Sequence, residues 1–236
     1  MIHYFGQAQQ IEKFQKFCNK HKLLLIEDNA HGHGGMYKGE LLGTFGDIGI
    51  SSPRKILNLP SGGNLWIKNQ NILFCHNLGP YPLSLIKYLQ TRIYNYYPSL
   101  RYSVNKIIKK RQRFEDYEIF RESPISDYTI DKHSKNKIEQ TNWVEICKAR
   151  RSVYNEWQYF ALKNNLTPIY SKLKPDANPW GFPVYTKTPQ EAIKWLYWGL
   201  ENKKPVFFWP NLPKDIITRN SESFNRWKKL ICFGIT

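Results

Sequence analysis

Leu23-Leu24-Leu25-Ile26-Glu27-Asp28-Asn29-Ala30-His31-Gly32-His33-Gly34 is the stretch on which the fold turns. It opens with four consecutive apolar residues, then two acids, then glycines alternating with histidines. A continuous apolar run beside a helix predicts a parallel strand buried on both faces. The helix is predicted just upstream, over residues 10–21, where Ile11, Phe14, Phe17 and Cys18 recur at helical spacing. Before it, residues 2–5 predict a first strand, closed by Gly6. Strand, helix and strand in so short a span make a βαβ unit. In open α/β sheets the chemistry collects at the carboxyl ends of the strands, and Asp28 sits at such an end.

Outward from this stretch, residues 29–63 are rich in glycine and read as loop. Short apolar pieces at 48–50 and 65–67 predict two further strands. Residues 83–97 are apolar and aromatic and read as helix. Residues 101–113 hold six basic and no acidic side chains, with Val104, Ile107 and Ile108 interleaved. Residues 123–140 are polar, include Pro124 and read as a linker. A helix is predicted over 143–164, and a strand within 179–185. A further helix over 189–202 has Thr188 as N-cap and Glu191 three residues on. A strand follows at 206–209, and the apolar run from 231 reads as strand. The expected organisation is an α/β region over 1–70, a basic helical connection over 71–140, and a smaller α+β unit over 141–236.

Composition narrows the class. Of 236 residues, 41% are hydrophobic and 15% aromatic, enough for a packed core and against wholesale disorder. Cys18, Cys75, Cys147 and Cys232 are scattered with no CxxC pair. That argues against a disulfide scaffold or a Cys-based zinc module and points to a reducing, cytoplasmic setting. No signal-peptide pattern opens the chain, and no apolar run reaches the ~18 residues of a spanning helix. The net charge is +16, with 25 basic against 14 acidic residues after position 100. Such a balance suits phosphorylated small molecules, nucleic acid or an anionic membrane face, and equally a solvated basic surface. In 101–113, Tyr102 and two isoleucines favour a helix packed on its own protein. Neither a nucleic acid nor a membrane is therefore expected as a partner.

Three clusters carry candidate chemistry. Asp28, His31 and His33 offer an oxygen–nitrogen set for a metal but no fourth ligand, so no metal is expected. Asp28 and Asn29 have an alternative use as turn residues that satisfy backbone amides. Lys55, in Ser51-Ser52-Pro53-Arg54-Lys55, follows a short strand and lies between glycine-rich segments. In a cleft beside Arg54 its ammonium is disfavoured, and a neutral amine is what Schiff-base chemistry needs. The plain alternative is a pair of loop cations. Gly62-Gly63 has no GK[ST] after it, so nucleotide hydrolysis has no support. Trp195, Trp198, Phe207, Phe208 and Trp209 read as core more readily than as a stacking platform.

The order of these motifs is specific. His3-Tyr4-Phe5-Gly6, then residues 25–34, Tyr37-Lys38-Gly39, Gly43-Thr44-Phe45-Gly46-Asp47, and Arg54-Lys55 followed by Gly62-Gly63 resemble the sugar aminotransferases of the DegT/StrS type. The likeness is close over residues 1–70. It is looser at Arg150-Arg151-Ser152-Val153-Tyr154 and Asn178-Pro179-Trp180-Gly181-Phe182-Pro183-Val184, which look like the start of that family's small domain. The resemblance implies an α/β chain. It holds part of a fold type I pyridoxal-phosphate (PLP) large domain with a mainly parallel sheet, plus a smaller α+β domain.

It further implies pyridoxal 5'-phosphate as cofactor, Lys55 as the Schiff-base lysine, Asp28 as the acid at the pyridine nitrogen, and His31 packed beside the ring. The implied reaction moves an amino group from an amino acid, glutamate in the first place, to a keto sugar on a nucleoside diphosphate, as in polysaccharide or amino-sugar biosynthesis. A homodimer is implied as well.

Two departures stand against the pattern. The family's large domain begins well upstream, with the strands and helix N-terminus that hold the cofactor phosphate, so the chain is expected to be a fragment. The family's serine five residues before the lysine is Ile50 here, and Ser52 is the expected substitute. A catalytically incomplete remnant or interaction protein of the same fold is the alternative expectation.

Overall fold

The computed structural model describes residues 1–68, 78–82, 128–209 and 221–235, with 86, 89, 90, 93, 97, 212, 216 and 217. The basic segment 101–113, Cys75 and most of the helix expected over 83–97 lie outside the described residues. The described residues gather into two compact units. One is drawn from residues 1–92, 126–154 and 172–180, the other from 93–125, 155–171 and 181–236.

In the first unit the predicted helix forms as Ile11–His21 and ends on Lys22 in the left-handed conformation (φ 55°). Lys20 and His21 in its last turn suit the negative end of the helix dipole. It buries Ile11 and Cys18 and leaves Phe14 and Phe17 exposed. The expected first strand is reduced to one bridge, Ile2 to Asp28. Tyr4–Gly6 turns instead as a 3-10 helix with Phe5 at φ 57°. Gly6 is required there: at φ +77° a Cβ would fall 2.2 Å from the Asn178 carbonyl oxygen.

The decisive strand, β1, is Ile26–Asn29, three residues later than its apolar run suggests. It pairs in parallel with β4, Ile48–Ser51, in the register Ile26 to Ile48 and Asn29 to Ser51. The latter pairs antiparallel with β5, Asn64–Ile67, so the sheet is mixed in the order β1-β4-β5. A small hairpin, β2 (Met36–Tyr37) and β3 (Glu40–Leu41), lies in the stretch read as loop. Its strands are two residues each, too short for a periodic signal.

Burial in β1 runs opposite to the expectation. Leu24 and Ile26 are more than half exposed, whereas Glu27 and Asn29 are fully buried. Alternation along a strand sends the two sets to opposite faces. Ile50 and Leu65, in register with Asp28, continue the exposed apolar face.

The buried face is held by charge. The Glu27 carboxylate accepts from His3 Nε2 (2.8 Å), Gly43 N–H (2.6 Å), Phe45 N–H (2.6 Å) and Gly46 N–H (3.0 Å). His3 Nδ1 accepts from Gln9 N–H (3.0 Å), which leaves the ring proton on Nε2, facing the carboxylate. The loop of residues 43–46 is thereby tied to β1. Gly49 lets it close, since a Cβ there would overlap the Gly43 carbonyl.

The linker expected over 123–140 contains a helix, Lys132–Glu139. Asp131 caps it, accepting from Ser134 N–H and from the Ser61 hydroxyl. The polar composition that read as linker is that of a helix exposed along most of its length.

The second unit is built on an antiparallel sheet in the order β6-β7-β9-β8: Thr167–Pro168, Gly181–Tyr185, Leu230–Gly234 and Val206–Phe208. The helix Pro189–Glu201 starts as predicted, with Thr188 Oγ1 accepting from Glu191 N–H. Trp157 and Phe160, from the latter half of the helix Trp143–Lys163, join Trp195 and Trp198 around Phe233. Phe233 is fully buried, and these rings are core. A short helix, Glu222–Trp227, capped by Ser221, escaped the sequence reading because six residues hold too few turns to show a period.

Glu27→Gln is expected to destabilise the fold by about 3–5 kcal/mol, since an amide turns a donor toward backbone N–H groups and the buried His3 pair is broken. Ile26→Thr, next in the chain but on the exposed face, is expected to stay within about 1 kcal/mol. Urea unfolding of both variants checks the pair. Burial alone would raise the Glu27 pKa, but the His3, Gly43 and Gly46 hydrogen bonds hold it below its ordinary 4.5. Its contribution to stability is therefore present above pH 4.5 and lost as pH falls through the lower folded value. Glu27→Gln is expected to flatten that acid limb of the stability curve.

Candidate active site

The carboxyl ends of β1 and β4 lie side by side because the two strands are parallel. Asp28 leaves the first on the exposed face. The second ends at Ser51 and runs directly into the short helix Pro53–Leu57, which carries Lys55. Pro53 suits the first helical position, where no N–H is needed. Residues 27 apart in sequence thus reach one cavity. It has a volume of about 140 Å³ and is lined by Ile2, His3, Tyr4, Asp28, Ala30, His31 and Lys55. Three of the four residues singled out from the sequence are brought together there. The fourth, Ser52, is buried at the N-cap of the lysine helix, makes no capping hydrogen bond and does not line the cavity.

Each side chain is set by its surroundings. Asp28 Oδ1 accepts from Ala30 N–H (2.8 Å), which holds the carboxylate at the strand end. Burial lowers the Lys55 pKa, Asp28 opposes that effect and Arg54 adds to it. The lysine keeps one solvent-facing side, so water screens part of this. His31 Nδ1 accepts from Phe5 N–H (3.3 Å), so Nε2 carries the proton of the neutral ring. Burial, and then the positive charge of Lys55, push the His31 pKa down to about 4 against the pull of Asp28. The imidazole is therefore neutral at physiological pH.

His33 goes elsewhere. Its Nδ1 shares a hydrogen with Ser51 Oγ (2.7 Å) and its ring meets Trp143 edge-on at 4.4 Å. Among the described residues no group of three His, Cys, Asp or Glu side chains could hold a metal ion. A larger, open cavity of about 590 Å³ lies between the start of β5 and the helix Lys132–Glu139, and none of the four candidate residues lines it.

The sequence reading assigned no role to Trp180 or Arg150. The Trp180 indole stacks on the His31 ring, with centroids 4.8 Å apart and planes 13° from parallel. Arg150 is buried and donates from Nε and Nη2 to the Pro179 carbonyl and from Nη2 to the Trp180 carbonyl. Both lie in motifs that sequence alone shows to be ordered, but their distance from Lys55 along the chain hides their neighbours.

Residues 1–73 match the DegT/DnrJ/EryC1/StrS aminotransferase family. GDP-perosamine synthase of Vibrio cholerae is 36% identical over 73 residues, 30% of this chain and 20% of that protein. The lipopolysaccharide biosynthesis protein RfbH of Salmonella typhimurium is 35% identical over 71 residues, 29% of this chain and 16% of that protein. Among solved structures, the Helicobacter pylori aminotransferase PseC, involved in pseudoaminic acid biosynthesis, superposes with a TM-score of 0.58 at 15% identity. That match covers 99% of this chain and 60% of PseC. The E coli GDP-4-keto-6-deoxy-D-mannose-3-dehydratase with bound hydrated PLP gives 0.59 at 14% identity, covering 99% and 61%. The chain thus matches a fifth or less of these curated relatives and about three fifths of these solved chains. Among the described residues no helix is long and apolar enough to cross a membrane. Residues 1–73 are thus similar to the DegT/DnrJ/EryC1/StrS aminotransferase family, and the chain has the fold type I architecture of the solved aminotransferases it superposes on.

Proposed function

We propose that this chain carries the lysine-bearing wall of the active site of a PLP-dependent sugar aminotransferase. The reaction transfers an amino group from an amino acid, glutamate first among them, to a keto sugar linked to a nucleoside diphosphate, in polysaccharide or amino-sugar biosynthesis. One observation carries the reading: Lys55, Asp28 and His31 line a single cavity at the carboxyl edge of the sheet. The names borne by the relatives point to the same substrate class.

The donor set suits pyridoxal 5'-phosphate. A lysine with a lowered pKa suits covalent attachment, a fixed carboxylate suits a ring nitrogen, and a neutral imidazole suits close packing against a ring. When bound, that cofactor supplies an electron sink for a developing carbanion. The Asp28 carboxylate holds the proton on the ring nitrogen. The Lys55 amine binds the cofactor and then carries a proton to and from the substrate carbon. The buried Ser52 hydroxyl, three residues before the lysine, is the proposed contact for the cofactor phosphate.

The cavity is smaller than the ~300–1,000 Å³ of ordinary small-molecule sites. These residues are accordingly read as one wall, completed by further polypeptide across a homodimer in the cytoplasm. In this reading residues 1–70 belong to the cofactor domain, 71–140 connect, and 141–236 form the small domain. The same small volume favours a second reading, in which the chain keeps the fold as an interaction protein without a complete cofactor site.

Visible absorption after adding pyridoxal phosphate, borohydride reduction and peptide mapping separates the two readings. A band lost in Lys55→Ala, with the label on Lys55, is the expected result. Label spread over surface lysines would leave the interaction reading. Asp28→Asn is expected to keep the label on Lys55 while lowering turnover by about a hundredfold or more, because the charge that steadies the ring proton is gone.

A further inference from the structure

His31, beside Lys55 and Asp28, is backed by residues from distant parts of the first unit. Phe5 and Trp180 contact it, and Arg150 of the helix Trp143–Lys163 holds the segment that carries Trp180. Phe5 uses both of its backbone groups: its N–H donates to His31 Nδ1 (3.3 Å), and its carbonyl accepts from Trp180 N–H (3.2 Å). The indole of Trp180 then lies flat on the imidazole. Arg150 grips the carbonyls of Pro179 and Trp180 at 3.0–3.1 Å. The positive φ of Phe5 is strained backbone for a non-glycine residue. A strained turn whose two polar groups meet the two members of one stacked pair holds that pair in register. Gly6 adds to this, since any side chain there would strike Asn178 and push the turn off.

We propose that Trp180 and Arg150 are positioning residues for the cofactor site, with Trp180 backing His31 and Arg150 anchoring Trp180, so that the imidazole is held neutral and at one orientation beside Asp28 and Lys55. The proposal rests on the cofactor reading above for its purpose, but not for its geometry. Other groups face His31 as well: Asp28 and Lys55 in the cavity, and the rings of Tyr4 and Phe5, whose centroids are 6.5 and 6.3 Å away. Of the two charged ones, Lys55 opposes protonation and Asp28 favours it. Trp180 covers one face of the ring. Protonation of Nδ1 would also end the bond from Phe5 N–H. Arg150 acts on the site through the Pro179 and Trp180 carbonyls, to which it donates.

The test is the titration of the His31 ring by NMR in the cofactor-free protein, with pyridoxal-phosphate binding measured separately. The wild-type ring is expected to stay neutral down to about pH 4. In Trp180→Ala the midpoint should rise by about one unit or more as water reaches the ring, and the cofactor should bind more weakly. Trp180→Phe, which keeps an aromatic face, should titrate near the wild type. Arg150→Ala, which leaves the indole but frees its backbone, carries the same expectation as Trp180→Ala and decides the matter if that variant does not fold. Arg150→Lys, lacking the planar fork, should fall between.

An unchanged His31 midpoint in folded Trp180→Ala or Arg150→Ala would overturn the proposal. So would an equal shift in Phe224→Ala, a variant in the other unit that loses stability without touching this cluster. If the wild type fails to bind pyridoxal phosphate, the cofactor reading falls, while the titration still decides the positioning role.

Discussion

The buried carboxylate of Glu27 is the interaction on which the first unit depends. It collects one imidazole N–H and three backbone N–H groups, and these come from two separate stretches of chain, residue 3 and residues 43–46. A charge taken wholly out of water costs several kcal/mol unless its acceptor capacity is filled. Here it is filled, so the residue serves as a fixed point rather than a liability. His3 is held in the matching tautomer by Gln9. The register of residues 1–9, the position of β1 and the closure of the loop around Gly43 all follow from that one carboxylate.

Placement of the chemistry follows from Glu27 as well. Strand alternation means that a glutamate fixed on one face sets the next residue, Asp28, on the other. The parallel partner strand ends level with it and leads straight into the lysine helix. A carboxylate, an imidazole and an amine then share a small cavity with little local machinery beyond the Asp28–Ala30 turn. The electrostatics are mutually consistent. Burial weakens the charge on Lys55 and on His31, Lys55 further disfavours a charged imidazole, and Asp28 restrains both effects. A neutral ring beside a lysine of lowered pKa is the outcome.

The second unit is held together differently. Its core is a stack of indoles and phenyls around Phe233, with the central strand of its sheet fully buried. Aromatic contacts of this kind supply large buried areas and fix rotamers, but they contribute no titratable group to the sheet face. The difference matches the distribution of the motifs: residues 1–68 carry the chemistry-bearing side chains, and the aromatic C-terminal part carries packing.

Much of this was legible in the sequence, and the reason is locality. The Ile11–His21 helix, the Thr188 cap and the strands around 48–50 and 65–67 rest on spacings of a few residues, whereas Asp28, His31 and Lys55 stood out as a set through the resemblance that the ordered motifs carry. Such spacings are visible without knowing what packs where. The ordered motifs over residues 1–70 were enough to point to the family whose members residues 1–73 resemble. Tertiary structure alone decided the rest. An apolar run predicted a strand buried on both faces, yet Leu24 and Ile26 are exposed and Glu27 is buried, because a strand's face is chosen by what covers it. A polar stretch read as linker folded into a helix because Ser61, seventy residues away, pairs with its cap. His31 and His33 are alike on paper. One stacks on Trp180 and the other bonds Ser51, since partners distant in sequence, not the motif, determine what each histidine does.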